Sequence, residues 1–133
     1  MKTYTHKVKY YETDAMKIVH HSNYIRWMEE AKMDFLDQVG CGMVRTEATG
    51  ITSPVVSVEC HYKQPSYYGD EIAIDVTVEE YTGVKLTLTY TMTNIATGVV
   101  VATGRSCNCY VDQNGRPISI KKHFPDLDSA LKR

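Results

Sequence analysis

The sequence predicts an α+β fold, with one helix lying across one face of a broad antiparallel sheet. Three observations lead to this prediction. Only one stretch shows strong helical periodicity over a long distance, and it comes early in the chain. Four segments with strand patterns follow it, and one strand pattern precedes it. With 133 residues, 43% of them hydrophobic, we expect a single domain spanning 1–133 around one core.

The first two elements are a strand over residues 3–10 and the long helix. Ser22 or Asn23 can cap this helix, which should run to about Val39 and end at Gly40. Its apolar residues recur at helical spacing: Ile25, Met28, Ala31, Phe35 and Val39.

After a loop through Gly50, the chain predicts strands over residues 54–63, 71–81, 84–94 and 99–111. The alternation is clearest in the second of these strands, where Ile72, Ile74, Val76 and Val78 share one face. Asn114-Gly115 is a strong signal for a two-residue turn. The charged tail from Lys121 is expected to form a short helix.

Composition excludes several classes of protein. A net charge of −1 argues against a dedicated nucleic-acid binder. No apolar run reaches membrane-spanning length and the N-terminus lacks a signal-peptide pattern, so we expect a cytoplasmic protein without a membrane partner. The four cysteines show no Cys-x-x-Cys spacing and are expected to be thiols, with Cys107 and Cys109 buried on one strand face. A structural metal is not expected.

The segment from Tyr11 to Tyr24 places a polar turn directly before the long helix. Free backbone N–H groups at a helix start can hold a developing negative oxygen. Asp14 beside them could attack a carbonyl or activate water. These features favour an acyl-hydrolysis site. The alternative is that Asp14 only caps its own turn.

The same segment carries a resemblance to a known family. Asp14-x-x-x-Ile18-Val19-x-His21-x-Asn23-Tyr24, followed by Glu29 and Ala31, resembles the signature of the 4-hydroxybenzoyl-CoA thioesterase group of hotdog-fold acyl-CoA thioesterases. Weaker similarities are Tyr62-Lys63-Gln64-Pro65, Gly69-Asp70 and Val111-Asp112-x-x-Gly115-Arg116-Pro117.

The resemblance implies a long central helix wrapped by a curved antiparallel sheet of about five strands. It implies homodimers that share a continuous sheet, often paired into homotetramers, with active sites at the subunit interface. An acyl-CoA is the implied substrate, and an acyl carrier protein is a possible alternative donor. No cofactor is implied.

The resemblance also assigns roles to residues. Asp14 is the implied catalytic carboxylate, as nucleophile or as general base, and the His21 backbone N–H polarises the thioester carbonyl. Lys17 stands where the family usually has glycine, which would permit a positive φ and close ligand approach. Supporting roles are implied for Lys17, Asn23, Tyr24 and Glu29. Candidate substrate-binding residues are Glu59, His61, Lys85 and Arg116.

Two other function classes stay open. The first is a hotdog enoyl-CoA hydratase. Hydratases of this fold resemble one another in an Asp-x-Asn-Pro-x-His motif, which this chain lacks. A non-catalytic acyl-CoA binding module is conceivable because of Lys17. The chain has no Gly-x-Ser-x-Gly, no His-Glu-x-x-His and no phosphate-binding glycine loop, which argues against serine hydrolases, zinc proteases and nucleotide hydrolases.

Overall fold

The computed structural model describes residues 2–132, which form five strands and four helices. The strands are β1 (Tyr4–Lys7), β2 (Val55–Tyr62), β3 (Glu71–Tyr81), β4 (Lys85–Asn94) and β5 (Val100–Cys109). The helices are α1 (Ser22–Gln38), α2 (Met43–Ala48), α3 (Ile120–His123) and α4 (Pro125–Leu131).

All five strands belong to one antiparallel sheet in the order β1-β3-β4-β5-β2. This arrangement confirms the α+β prediction. The two edges of the sheet differ, because β1 is a strand of four residues and β2 has eight. An unpaired edge of this length exposes a row of backbone donors and acceptors.

The 17-residue helix α1 packs on the sheet against β1, β2, β3 and β5. Trp27 is fully buried at the centre of this contact, and Met28 is 2% exposed. The helix approaches β5 closely at Gly104, where the Cβ atom of any larger residue would lie only 2.6 Å from the Met28 sulfur. Any larger residue at this point would require the Met28 side chain to move, so glycine allows the helix and sheet to pack at their observed separation.

The buried face of α1 agrees with the prediction at Met28, Ala31 and Phe35 but not at Ile25. Ile25 was expected inside but is 39% exposed, while Tyr24, Trp27 and Leu36 are buried. The bulky rings of Tyr24 and Trp27 fill the space under the helix, and this rotates the buried face toward them. The end of the helix is as expected, since Gly40 has φ +80 and stops the chain from continuing as a helix.

Three further expectations need correction. The first strand is shorter than predicted, because residues 10–12 form a 3₁₀ turn. The loop before Gly50 contains α2. Cys107 and Cys109 are only half-buried, because the core-facing positions of β5 are taken by Ser106 and Asn108. Those polar side chains are satisfied by the Tyr90 hydroxyl at 2.7 Å and the Ser53 carbonyl at 2.9 Å, respectively.

Candidate active site

The residues of the sequence motif line an open cleft of about 570 Å³. The cleft lies where the turn at residues 14–17 and the start of α1 meet the segment that follows β2. Its walls combine apolar side chains with a few polar groups, as is usual for small-molecule sites. The lining residues are Asp14, Met16, Ile18, Val19, His21, Tyr24, Tyr62, Lys63, Gln64 and Pro65.

Asp14 begins a tight hairpin turn. Its backbone N–H donates to the Ile18 carbonyl at 2.9 Å, and its own carbonyl accepts from the Lys17 N–H at 2.8 Å. One carboxylate oxygen, Oδ1, accepts the Met16 N–H at 2.8 Å. Within residues 2–132, the second oxygen has no hydrogen-bond partner. Asp14 therefore caps its turn and still has an oxygen available for chemistry.

Lys17 adopts the left-handed conformation, with φ +67, and is the sole non-glycine residue with positive φ between residues 2 and 132. A two-residue bend followed by a left-handed residue is a common hairpin loop, in which glycine is favoured at the last position. The turn thus has the conformation that the family glycine would permit. Its side chain is exposed, and no carboxylate in the described chain lies within 4.0 Å of its ammonium group.

We expect Lys17→Gly to stabilise the protein. A left-handed L-residue costs about 1–2 kcal/mol, and the added chain entropy of glycine offsets about 0.5–1 kcal/mol of that gain. The melting temperature should therefore rise by a few degrees, about 2–5 °C. Ala15→Gly is the matched control, since Ala15 lies in the same turn without a positive φ. A melting temperature for Lys17→Gly that is no higher than that of the wild-type protein would contradict this account.

The start of α1 leaves one backbone donor free. The N–H groups of Asn23 and Tyr24 donate to the carbonyls of His20 and His21, and the Ser22 N–H donates to the His20 ring. The His21 N–H has no acceptor within residues 2–132. This donor belongs to a residue that lines the cleft, and a free donor at a helix start suits an anionic oxygen.

Asn23 fixes the orientation of that donor. Its side-chain Nδ2 donates to the carbonyls of Glu12 at 2.9 Å and His20 at 3.3 Å. Because a trans peptide points its N–H away from its carbonyl, holding the His20 carbonyl aims the His21 N–H in the opposite direction. The prediction that Ser22 or Asn23 caps the helix is wrong, since neither side chain accepts an N–H there and His21 occupies the cap position.

Behind the motif lies a buried carboxylate, Glu12, whose importance is not evident from the sequence. It is 6% exposed and accepts the Trp27 Nε1–H at 2.7 Å and the Lys9 N–H at 2.7 Å. His6 Nε2 lies 2.8 Å from its Oε1. The Glu12 carbonyl accepts the His20 N–H at 2.9 Å, so the same residue also anchors the start of the helix.

The environment of Glu12 keeps it ionised. Burial alone would raise its pKa, but hydrogen bonds from the Lys9 N–H, Trp27 and His6 stabilise the carboxylate more strongly. The net effect lowers the pKa of Glu12 from its usual value. An ionised, fully hydrogen-bonded carboxylate of this kind fixes the geometry of its neighbours.

Two tyrosines hold the other wall of the cleft. The Tyr24 hydroxyl donates to Ser66 Oγ at 3.0 Å, and the Tyr62 hydroxyl donates to the His21 carbonyl at 3.2 Å. Burial raises the pKa of both tyrosines, so both remain hydrogen-bond donors at neutral pH. The Val19 N–H donates to the Ser66 carbonyl at 2.9 Å. These contacts join the helix start to the segment after β2.

The structure does not bring the other predicted site residues to this cleft in the same chain. Glu29 pairs with the Lys32 ammonium at 2.9 Å and lines a separate cavity between α1 and β2. Glu59 and His61 lie exposed on β2, with His61 Nε2 3.3 Å from Glu59 Oε2. Arg105 lies between Glu59 and Glu79 on the same surface.

Lys85 and Arg116 lie at the far end of the sheet. Tyr62, at the cleft, pairs with Ala102, which in turn pairs with Met92. Lys85 is seven residues from Met92 along β4, or roughly 23 Å at about 3.3 Å per residue. Arg116 lies in the turn after β5, at the same end as Lys85. Neither of these two candidate substrate-binding residues therefore lines the cleft of its own chain.

Within residues 2–132, no group of three or more metal-ligating side chains lies close enough to hold an ion. His20 and His21 stack with ring centroids 4.3 Å apart, and His20 Nδ1 lies 2.9 Å from the Ser22 hydroxyl. None of the described helices is long and apolar enough to cross a membrane.

Several known proteins are similar to this chain in sequence and structure. The family model of the Thioesterase-like superfamily matches residues 8–131. The chain is 33% identical over 127 residues to "Putative acyl-CoA thioesterase YneP" of Bacillus subtilis (strain 168), covering 96% of this chain and 92% of that protein. It is 33% identical over 81 residues to a 1,4-dihydroxy-2-naphthoyl-CoA hydrolase of Prochlorococcus marinus (strain NATL2A), covering 55% of this chain and 52% of that protein.

The structure is also similar to that of a DHNA-CoA thioesterase from Staphylococcus aureus. The TM-score is 0.93 at 27% identity, covering 98% of this chain and 87% of that chain. The match of the family model includes the turn, the helix start and every strand of the sheet except β1. The chain belongs to the Thioesterase-like superfamily.

Proposed function

We propose that this chain is an acyl-CoA thioesterase, which hydrolyses an acyl-CoA to the free acid and CoA. The observation that carries the proposal is the presence, in one cleft, of a carboxylate with a free oxygen and a helix-start N–H with no acceptor among residues 2–132. Thioester hydrolysis needs a nucleophile or base and a donor for the carbonyl oxygen. Asp14 and His21 would supply these two functions.

In the proposed mechanism, the thioester carbonyl oxygen accepts the His21 N–H. In one route Asp14 attacks the carbonyl carbon, the C–S bond breaks to release the CoA thiolate, and water hydrolyses the resulting acyl–Asp14 anhydride to the free acid. In the other route Asp14 takes a proton from a water that attacks the carbonyl carbon, and the C–S bond breaks to give the free acid and CoA. Both routes remain open. The leaving CoA thiolate has a conjugate thiol pKa of about 8–9, so a strong general acid is not required. Asn23 and Tyr24 position the donor and the cleft wall, whereas Glu29 has no role in this cleft of its own chain.

Several finer assignments belong to the same proposal. The chain forms one hotdog domain over 1–133, with α1 as the helix that the sheet encloses. It resembles the 4-hydroxybenzoyl-CoA thioesterase group in its motif. Two similar proteins are named for 1,4-dihydroxy-2-naphthoyl-CoA or DHNA-CoA, which makes aromatic acyl-CoAs the first substrates to test.

The experiment is a screen that measures free thiol release from aromatic and aliphatic acyl-CoAs. We expect hydrolysis of at least one acyl-CoA, unchanged by a chelator because the site uses a carboxylate and a backbone donor. Hydration of an enoyl-CoA would instead favour the hydratase, and tight acyl-CoA binding without turnover would favour a binding module. Hydrolysis of acyl groups on an acyl carrier protein, with none on CoA, would identify the carrier protein as the acyl donor.

We also propose that the chain forms a homodimer or homotetramer through the β2 edge. This edge is exposed along most of its eight residues and carries apolar side chains, including Val56 and Val58. Pairing with the same strand of a second copy would protect it and extend the sheet. Glu59 and His61 would then lie near the interface, and Lys85 and Arg116 could reach a substrate only from the partner subunit.

A Val56→Lys variant should weaken this association, because a lysine on an exposed strand edge opposes pairing. We expect the dimer of the wild-type protein to shift toward monomer in analytical ultracentrifugation. Val99→Lys is the control, since Val99 is similarly exposed (45% against 54%) but lies outside β2. A wild-type protein that is monomeric and still active when dilute would overturn the interface proposal.

A further inference from the structure

Four exposed tyrosines lie on two adjoining segments beside the cleft. Tyr10, Tyr11, Tyr67 and Tyr68 are between 51% and 82% exposed. The rings of Tyr10 and Tyr68 contact each other edge to face, with centroids 5.8 Å apart. We call these four residues the tyrosine patch. Exposed aromatic rings in contact with each other often mark a binding surface.

The tyrosine patch adjoins the mouth of the cleft. Ile18, which lines the cleft, pairs with Tyr67 through an isolated β-bridge. The segments that carry the rings are also joined to each other, since the Gly69 N–H donates to the Val8 carbonyl at 3.1 Å. A ligand that extends out of the cleft past Ile18 would therefore meet the tyrosine patch.

The backbone under the patch is held in place. Thr13 Oγ1 donates to the Tyr10 carbonyl at 2.7 Å, and the Tyr67 N–H donates to Asp70 Oδ2 at 2.9 Å. These bonds fix both ring-bearing segments before a ligand arrives. A preformed surface loses less conformational entropy when it binds.

Positive charge accompanies the rings. Lys9 precedes Tyr10, Lys17 precedes Ile18, and Lys63 lines the cleft. All three are exposed, and in the described chain none has a carboxylate within 4.0 Å of its ammonium group. Unpaired ammonium groups and exposed aromatic rings on adjoining segments suit a ligand that combines a planar ring with phosphates.

We propose that the tyrosine patch binds the adenine nucleotide end of the CoA substrate, with Lys9, Lys17 and Lys63 attracting its phosphates. The inference rests on the proposed function. It specifies the acyl donor of that reaction, since a nucleotide site favours thioesters of free CoA over thioesters on a carrier protein. The acyl group and thioester lie in the cleft, and the pantetheine arm crosses Ile18. A second copy of the chain fits this surface less well, because a two-fold contact would bring the same unpaired lysines together.

The first test compares binding of CoA and pantetheine by calorimetry, which needs no turnover. The wild-type protein should bind CoA more tightly, because pantetheine lacks the nucleotide. The double variant Tyr10→Ala/Tyr68→Ala should weaken CoA binding about tenfold and leave pantetheine binding unchanged. Equal affinity of the wild-type protein for both ligands, or equal weakening of both in the variant, overturns the proposal.

A second comparison tests the charge. Lys9→Ala should weaken CoA binding and reduce its dependence on salt, whereas Lys122→Ala, an exposed lysine on α3, should not. If the tyrosine variant keeps its CoA affinity but loses its oligomeric state or its activity on acyl-carrier protein, the patch is a protein interface and the proposal is wrong.

Kinetics separate this proposal from the proposed function. The double variant should raise KM for an acyl-CoA about tenfold while kcat and the KM for the matching acyl-pantetheine stay constant. A wild-type protein that binds CoA through the patch but hydrolyses no thioester would overturn the proposed function alone. Hydrolysis that is insensitive to the tyrosine substitutions would overturn the patch alone.

Discussion

Asp14→Asn is expected to fold normally and to lose at least about 10²-fold in kcat for acyl-CoA hydrolysis. The asparagine side-chain oxygen can still accept the Met16 N–H, which is the bond that the Asp14 Oδ1 makes in the turn. Its amide group is neither a nucleophile nor a base. The variant therefore removes the chemistry of the second oxygen while it keeps the turn, and thiol release measures the loss.

Asp70→Asn is the matched control for this experiment. Asp70 also uses a carboxylate oxygen to accept a backbone N–H within a tight turn, that of Tyr67, but it does not line the cleft. We expect this variant to keep near wild-type kcat. If Asp14→Asn hydrolyses substrate as fast as Asp70→Asn, Asp14 is only a turn residue.

Glu12→Gln is expected to lower the free energy of unfolding by about 2–4 kcal/mol, because three groups directed at a carboxylate would face an amide. The donors are the N–H groups of Lys9 and Trp27, and His6 lies against the same carboxylate. Denaturant unfolding of the wild-type protein and the variant at neutral pH measures the loss.

The same residue predicts a dependence of stability on pH. The pKa of Glu12 in the folded protein is lower than its usual value of 4.5, so the unfolded chain binds more protons as the pH falls. Its contribution is complete above the unfolded pKa and disappears as the pH drops through the folded pKa. The free energy of unfolding of the wild-type protein should fall as the pH drops through this interval. The difference in free energy of unfolding between the wild-type protein and Glu12→Gln should become smaller over the same interval.

Glu30→Gln provides the control for both measurements. Glu30 accepts the Tyr4 hydroxyl at 3.0 Å and lies 3.3 Å from His6 Nδ1, but its side chain is 47% exposed. Water can replace its contacts, so the change in unfolding free energy should stay below about 1 kcal/mol. A Glu12→Gln variant no less stable than Glu30→Gln would show that the buried carboxylate is not structurally important.

The sequence predicted the elements of this fold well where periodicity is strong. The alternation around Ile72 and Ile74 gave the bounds of β3, and Gly40 marked the end of α1. Periodicity was less informative for the buried face of α1, since polar Lys32 is 7% exposed while apolar Ile25 is partly exposed. Lysine can lie along a core with its ammonium paired, here with Glu29.

The cleft was foreseen only in its local part. Asp14 and His21 are close in sequence and belong to one motif, so a local pattern could indicate both. Tyr62, Lys63 and Gln64 reach the cleft through sheet topology, which residue spacing does not encode. Glu12 lies next to the motif, but nothing in its immediate sequence distinguishes a buried glutamate from a solvated one.

The free N–H at position 21 has a consequence for protein engineering. Because this proposed oxyanion donor is part of the main chain, alanine scanning cannot delete it. Full activity of a side-chain variant at position 21 would therefore not show that the residue is unimportant. Only proline, which lacks the N–H, removes the donor directly. The exposed His21 side chain on the cleft wall can therefore be varied to redesign acyl selectivity while the proposed donor is retained.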